Sequence, residues 1–238
     1  MNTNTSGKSD MTGGMRLKAL LRFGVYILVL AAILFFSAGR LDWVMGWAFI
    51  GVWTIVAGIL PALAVPLDQE LMEERTQIKE GVKDWDKPIV IILNILTPLG
   101  FLVVAGLDVR FGWSPQNSLA LHVVALAVAA LGYLLSVWAA ASNRFYGRFV
   151  RIQKERGHTV VSSGPYQYVR HPGYAGLIVF YFAAALAFGS LWTLILNGLM
   201  SLLLVLRTAL EEKTLHEELD GYRAYTAKVR YRLLPGVW

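Results

Sequence analysis

Long apolar runs alternate with short, densely charged stretches, and this alternation sets the reading of the chain. The runs are Phe23–Ala38, Trp43–Val65, Pro88–Leu107, Ser118–Ala141, Tyr174–Phe188 and Leu191–Leu206. Trp43–Val65 is uncharged for 23 residues, enough at about 1.5 Å per residue to cross a hydrocarbon core of about 30 Å. Pro61 is expected to bend its end. Only Gly189-Ser190 separates the last two runs, which requires a tight antiparallel helical hairpin. The pattern predicts an all-α integral membrane protein with about six transmembrane helices and a C-terminal helix beyond the last of them. Arg16, Lys18 and Arg22 precede the first run, as they would in a signal peptide, but Ser37-Ala38-Gly39 is a poor cleavage site and a second run follows at once.

Charge gives the chain an orientation. With the N-terminus inside, all of the 22 basic residues except Arg40 and Arg110 fall on the cytoplasmic side, so both termini are expected there. Three units are expected. Residues 1–15, rich in Asn, Thr, Ser and Gly, read as a disordered tail. Residues 16–141 hold the first four spans and a charged cytoplasmic loop, 67–87, partly helical over Gln69–Lys79. Residues 142–238 hold the remaining loop, the hairpin and the C-terminal helix.

Composition then narrows the chemistry. Charged residues make up 16% of the chain, against about 25% in an ordinary soluble domain. A net charge of +6 therefore reads as loop placement rather than as nucleic-acid binding. With no cysteine there is no disulfide, thiolate nucleophile or Cys-held metal, and the four histidines show no ligand spacing.

The outer loops, Gly39–Asp42, Asp108–Asn117 and Gly189-Ser190, are too short to build a site, so the candidate chemistry lies at the cytoplasmic ends of the last three spans. Arg144, Arg148 and Arg151 would share one face if the fourth helix continues, as a basic collar at the membrane surface. Ser163-Gly164-Pro165 is a turn signal, and Arg170-His171-Pro172 leads into the fifth helix with Pro172 in its first turn. His171 would then sit at a helix N-terminus that favours anions. Past the sixth run, Arg207 with Glu211 and Glu212 with His216 are each four apart and able to meet. Arg207 and Glu211 stand where the helix leaves the apolar run, and an ionisable group at that boundary is costly unless paired or used. Glu217, Glu218 and Asp220 read as a solvated face.

These residues carry a resemblance. Gly157-His158-Thr159-Val160-Val161, Gly164-Pro165-Tyr166 and Tyr168-Val169-Arg170-His171-Pro172-Gly173-Tyr174-Ala175-Gly176 resemble the RHPxYxG region of the isoprenylcysteine carboxyl methyltransferases. Glu211-Glu212, Tyr222, Tyr225 and Arg232-Leu233-Leu234-Pro235 resemble that family's C-terminal pattern. The resemblance covers roughly residues 142–236 and implies a bacterial-type inner-membrane methyltransferase using S-adenosyl-L-methionine, with its site facing the cytoplasm. It assigns His158, Val160, Val161, Gly164, Tyr166, His171, Pro172, Tyr174 and Glu212 to the cofactor pocket, and Arg207 and Glu211 to the methyl acceptor. Arg170 would either touch the ligand or support the loop. The acceptor would be a prenylcysteine-like carboxylate, with Arg207 as a bidentate partner, or a phospholipid amine or small thiol, with Glu211 taking the proton. Two other classes stand beside this reading. One is an NADPH-dependent, sterol-reductase-like enzyme; the other is a scaffold or transporter, for which only His122, Asn94 and Pro98 are available near mid-membrane.

Overall fold

The computed structural model of the chain describes residues 6–64, Glu74 and residues 77–238, and those residues form helices and no strands. Helix α1 is Ser6–Ala38. Helix α2 runs Val44–Trp53, continues as a π-helical turn, Thr54–Ile59, and closes with Leu60–Ala64. Helix α3 repeats this plan as Asp86–Ile91, a π-helical turn Ile92–Leu96, and Thr97–Phe111. Helix α4 is Leu119–Ser142, α5 Pro172–Phe188, α6 Leu191–Glu218 and α7 Tyr222–Lys228. Each π-helical turn lies just before a proline, Pro61 or Pro98. A proline ring crowds the carbonyl four residues back and supplies no N–H to it, and a widened turn relieves both.

Five helices are long and apolar enough to cross a bilayer, and the expected fifth span is present as the shorter Pro172–Phe188. At 17 residues it reaches about 26 Å. Ala183, Ala184, Ala185 and Ala187 let neighbouring helices close around it and leave eleven of its residues buried, while Val179 and Leu186 stay exposed. Helix α4 packs along α5, α1 along α3, and α6 lies against both α3 and α5. Their shared core is aromatic: Phe49, Phe101 and Phe188 meet with ring centroids 4.7–6.2 Å apart. Large apolar side chains such as Leu28, Phe36, Leu131 and Leu202 point outward, the arrangement of helices bathed in lipid.

The hairpin expected at Gly189-Ser190 forms. Gly189 takes φ 71°, a left-handed conformation that glycine adopts without a Cβ penalty, and Ser190 caps α6 by accepting from the Thr193 N–H at 3.3 Å.

Among the described residues, helix α1 takes in residues 6–15 of the expected tail, and no proline stands between them and the first span. The rest of that tail, and most of the expected helical stretch Gln69–Lys79, lie outside the described residues. Helix α4 ends at Ser142, so Arg144, Arg148 and Arg151 do not share a helical face. The Asn143 side chain accepts the Phe145 N–H at 2.8 Å, replacing the helical carbonyl and turning the chain.

Candidate active site

Past Asn143 the chain wraps a cavity of about 450 Å³. Its polar end is walled by the loop residues His158, Val160, Val161 and Tyr166, with His171 and Tyr174 from the start of α5. Arg207 and Glu211 face it from α6, on the same stripe as Met200 and Leu204. That stripe turns from apolar to charged within three turns, so one helix serves both a lipid-like and an ionic end.

Behind this wall lies a buried hub centred on Glu212, which is 3% exposed. Arg170 donates to both of its oxygens at 2.7 Å, Tyr222 Oη donates at 2.7 Å, His171 Nε2 meets it at 3.0 Å, and Arg232 Nε at 3.2 Å. A carboxylate with this much charged and phenolic company is satisfied within the protein. Arg170 also donates to the carbonyls of Val229 and Arg230, while the backbone N–H groups of Arg170 and His171 reach the carbonyls of Tyr231 and Arg232. The C-terminal segment is thereby strapped to the loop. Of the two roles open to Arg170, its hydrogen bonds serve the supporting one.

Glu211 points the other way. Tyr174 Oη donates to its Oε2 at 2.7 Å, and His171 Nδ1 lies 3.8 Å from the same oxygen. His171 stacks on Tyr174 at 5.6 Å. Arg207 does not pair with Glu211, its neighbour one turn on. It is claimed by Asp86, which no sequence pattern singled out: Nε and Nη2 reach the two Asp86 oxygens at 2.7 and 3.0 Å, and Nη2 also donates to the Arg148 carbonyl. Asp86 is fully buried and accepts the Val150 N–H at 2.7 Å, so one ion pair ties α3, α6 and the 143–151 loop together. The signal for Asp86 was available as an acid at the edge of an apolar run, the same argument applied to Arg207.

His216 makes no bond to Glu212 and packs edge-on against Tyr222 instead. Gly164, Pro172 and Glu212 stand behind the cavity wall, and the other expected pocket residues are on it. His171 adds little backbone capacity for an anion, since the Tyr174 and Ala175 N–H groups both donate to its carbonyl. Tyr146 was also missed. It lines the cavity and packs so close to Gly173 that a Cβ there would meet its Oη at 2.9 Å.

The site's electrostatics come from this packing. Burial, then Arg151, Arg156 and Arg144, push the His158 imidazole down to about 4, so it is neutral at physiological pH. Its Nδ1 accepts the Gln153 N–H and its ring lies 4.4 Å from Phe145. Burial raises the Tyr166 phenol, which stays protonated, while its carbonyl accepts Tyr225 Oη at 2.6 Å. Arg151, expected in a collar, is buried against Glu74 and Glu155. Arg148 is on the cavity wall, and its guanidinium makes no hydrogen bond or ion pair to a described residue.

One cavity thus carries an open cation, an open carboxylate, aromatic faces and an apolar inner end. Residues 120–220, from α4 through α6, match the model of the phospholipid methyltransferase family. This family is part of the isoprenylcysteine carboxyl methyltransferase-like superfamily of membrane methyltransferases. The α4–α6 segment of the chain is therefore similar to that superfamily. The motif resemblance is borne out at that level, and the family matched is the phospholipid one. Enzymes of this family generally use S-adenosylmethionine. No curated protein matches the chain. The matched methyltransferase segment supplies most of the cavity's polar wall, while α1–α3, outside the match, supply much of its apolar end.

Proposed function

We propose that the protein transfers a methyl group from S-adenosylmethionine to the amine head of a membrane lipid, at a site facing the cytoplasm. The observation that carries this reading is the continuity of one cavity from the His158–Tyr174 loop to the apolar interior of the bundle. The residues fit the cofactor's chemistry. Arg148 offers its guanidinium to a carboxylate, and Tyr166 and Phe145 offer apolar faces to a base. Bound there, S-adenosylmethionine supplies an electrophilic methyl on a good leaving group.

The chain's own residues do the rest. Glu211 Oε1 is left open by Tyr174 and is the atom that takes the proton an ammonium must lose before it becomes a nucleophile. Tyr174 and His171 hold that carboxylate in place. Such positioning matters, because methyl transfer needs in-line approach at about 3–3.5 Å. Glu212, Arg170 and Asp86 act as positioning residues. The Asp86 pair also bears on the acceptor. With Nε and Nη2 of Arg207 engaged, its fork is not open to a bidentate contact with an acceptor carboxylate, which favours the amine over a prenylcysteine-like carboxylate. The positive-inside charge pattern supports the cytoplasmic orientation.

Titrating the purified protein with S-adenosylhomocysteine and, separately, with NADPH tests the cofactor. Thermal stabilisation by the former is expected, and stabilisation by NADPH alone would refute the reading. A methyl-acceptor screen with labelled cofactor then compares phosphatidylethanolamine, prenylated thiols and small thiols; transfer to phosphatidylethanolamine is the expected outcome.

A further inference from the structure

Along one stripe of α6 the cavity wall runs Glu211, Arg207, Leu204 and Met200, from the charged end of the helix inward. Carboxylate, guanidinium and hydrocarbon thus follow one another at steps of about 4.5–6 Å along the axis. Arg207 and Glu211 are opposite charges on that stripe, yet each is held by a partner from outside the pair. Asp86 takes Nε and Nη2 of Arg207, and Tyr174 Oη donates to Glu211 Oε2. Tyr174 touches both, with the Arg207 guanidinium carbon 5.3 Å from its ring centroid.

Each charge keeps one edge open. Arg207 is only 6% exposed, but its Nη1 makes no hydrogen bond to a described residue and retains accessible surface. Glu211 Oε1 is likewise unpaired and accessible. An open guanidinium N–H on a largely buried side chain beside a cavity calls for an anion, because leaving it unpaired there is costly. Two opposite charges, each fixed by its own partner and kept from neutralising the other, make a receptor for a dipole of the opposite sense.

The order along the stripe gives that dipole a direction. An ammonium at Glu211 puts an anion one turn deeper, at Arg207, and hydrocarbon beyond it at Leu204 and Met200. Ammonium, anion and acyl chain in that order describe an aminoethyl phosphodiester lipid, whose P–O–C–C–N link has a reach on the order of one helical turn. We infer that Arg207 Nη1 binds the phosphodiester of the acceptor lipid while Glu211 receives its amine, so that a zwitterionic phosphoethanolamine head is selected over other membrane amines. This receptor presupposes the lipid-amine methyltransferase reading above and adds to it the contact that fixes the head. A site built to hydrogen-bond a group rejects the analogue lacking it, because its own donor is then left unpaired.

The test measures binding of two lipids to the full chain in detergent. One is dioleoylphosphatidylethanolamine; the other is the N-(2-aminoethyl) carbamate of dioleoylglycerol, which carries the same amine and chains without a phosphate. The wild type should prefer the phosphate lipid at least about tenfold, the scale of one hydrogen bond to a charged group. Arg207→Gln combined with Asp86→Asn removes both charges together and strands neither. It should bring the ratio close to one by weakening the phosphate lipid alone. Glu211→Gln should weaken both lipids and keep the preference. The ratio is read within each protein, so a change in overall stability does not enter it. Equal affinities in the wild type, or a preference that survives the loss of Arg207, overturn the receptor. S-adenosylhomocysteine binding is measured on the same samples. If the double variant loses it and keeps the lipid ratio, Arg207 holds the cofactor's carboxylate and the receptor is refuted. Its absence in the wild type would refute the cofactor reading instead, and the lipid ratio is read independently of it.

Discussion

At the turn end of the α5–α6 hairpin, Asp108 is surrounded by hydroxyls and an amide; at the open end, Glu212 is surrounded by cations. Both carboxylates are 3% exposed. Asp108 accepts from Ser114 N at 2.8 Å, Ser114 Oγ at 2.7 Å and Ser190 Oγ. Ser114 Oγ in turn takes the Leu191 N–H, so the cluster closes the turn upon itself. None of these residues lines the cavity of the candidate site. Glu212 closes the other end with Arg170, His171, Arg232 and Tyr222, and three of these, Arg170, His171 and Tyr222, form part of the cavity wall. Neutral donors suffice to fasten a turn. Charged ones create a rigid polar end that borders the cavity.

That contrast can be broken most decisively at Glu212. Glu212→Ala leaves two guanidiniums, an imidazole and a phenol without their common partner, and uncompensated buried charge costs about 3–5 kcal/mol. Thermal unfolding in detergent should show a large loss of stability, with S-adenosylhomocysteine affinity down at least about tenfold. Glu212→Gln, which keeps the shape, should fall between. Wild-type stability and affinity in the Ala variant would mean that the hub does not organise the site.

The Asp86–Arg207 pair sharpens the same point. Asp86→Ala strands Arg207 and should cost about 3 kcal/mol, measured the same way. Pairing it with Arg207→Leu removes both charges and should recover much of that stability. Methyl transfer should stay low in the double variant, because the pair also sets the 143–151 loop through Val150. Full recovery of turnover would reduce the pair to a fastening device like Asp108.

The reverse holds at the turn. Asp108→Asn keeps one acceptor oxygen and should cost only about 1 kcal/mol. Turnover per folded molecule and S-adenosylhomocysteine affinity should be unchanged. A loss of affinity matching that of Glu212→Ala would erase the distinction between the two ends.

Sequence periodicity and charge placement suffice for the helices and for which ends carry chemistry, because a bilayer requires long apolar runs and every backbone group bonded within them. Gly189-Ser190 leaves no alternative to a hairpin. The motif residues His158, Tyr166, His171 and Tyr174 converge as expected. Partner choice is less legible. Arg207 has Glu211 one turn away, yet it binds Asp86, 121 residues distant, because the bundle brings that carboxylate to a better bidentate position. Local spacing ranks candidates only when no distant group competes. The break at Asn143 escaped for a related reason. A single side-chain carbonyl bonding two residues on is enough to end a helix, and hydrophobic periodicity does not register it.

The smallest expected effect concerns acid, and it separates the loop's stability from its ligand chemistry. His158 titrates near 6.5 when unfolded and near 4 when folded, chiefly through burial and then through Arg151, Arg156 and Arg144. Between those values the unfolded chain binds a proton that the folded chain refuses. Stability contributed at this site is therefore complete above pH 6.5 and declines as the pH falls toward 4. The ring is partly open to solvent, so the decline is modest. His158→Asn retains an acceptor for the Gln153 N–H without the titration, and its melting temperature should fall less than the wild type's between pH 7.5 and 5.0. Other titrating groups contribute equally to both proteins and cancel in the difference. Identical falls would show that the imidazole is not held neutral by the fold, and the basic loop around it would then have to tolerate a fourth positive charge.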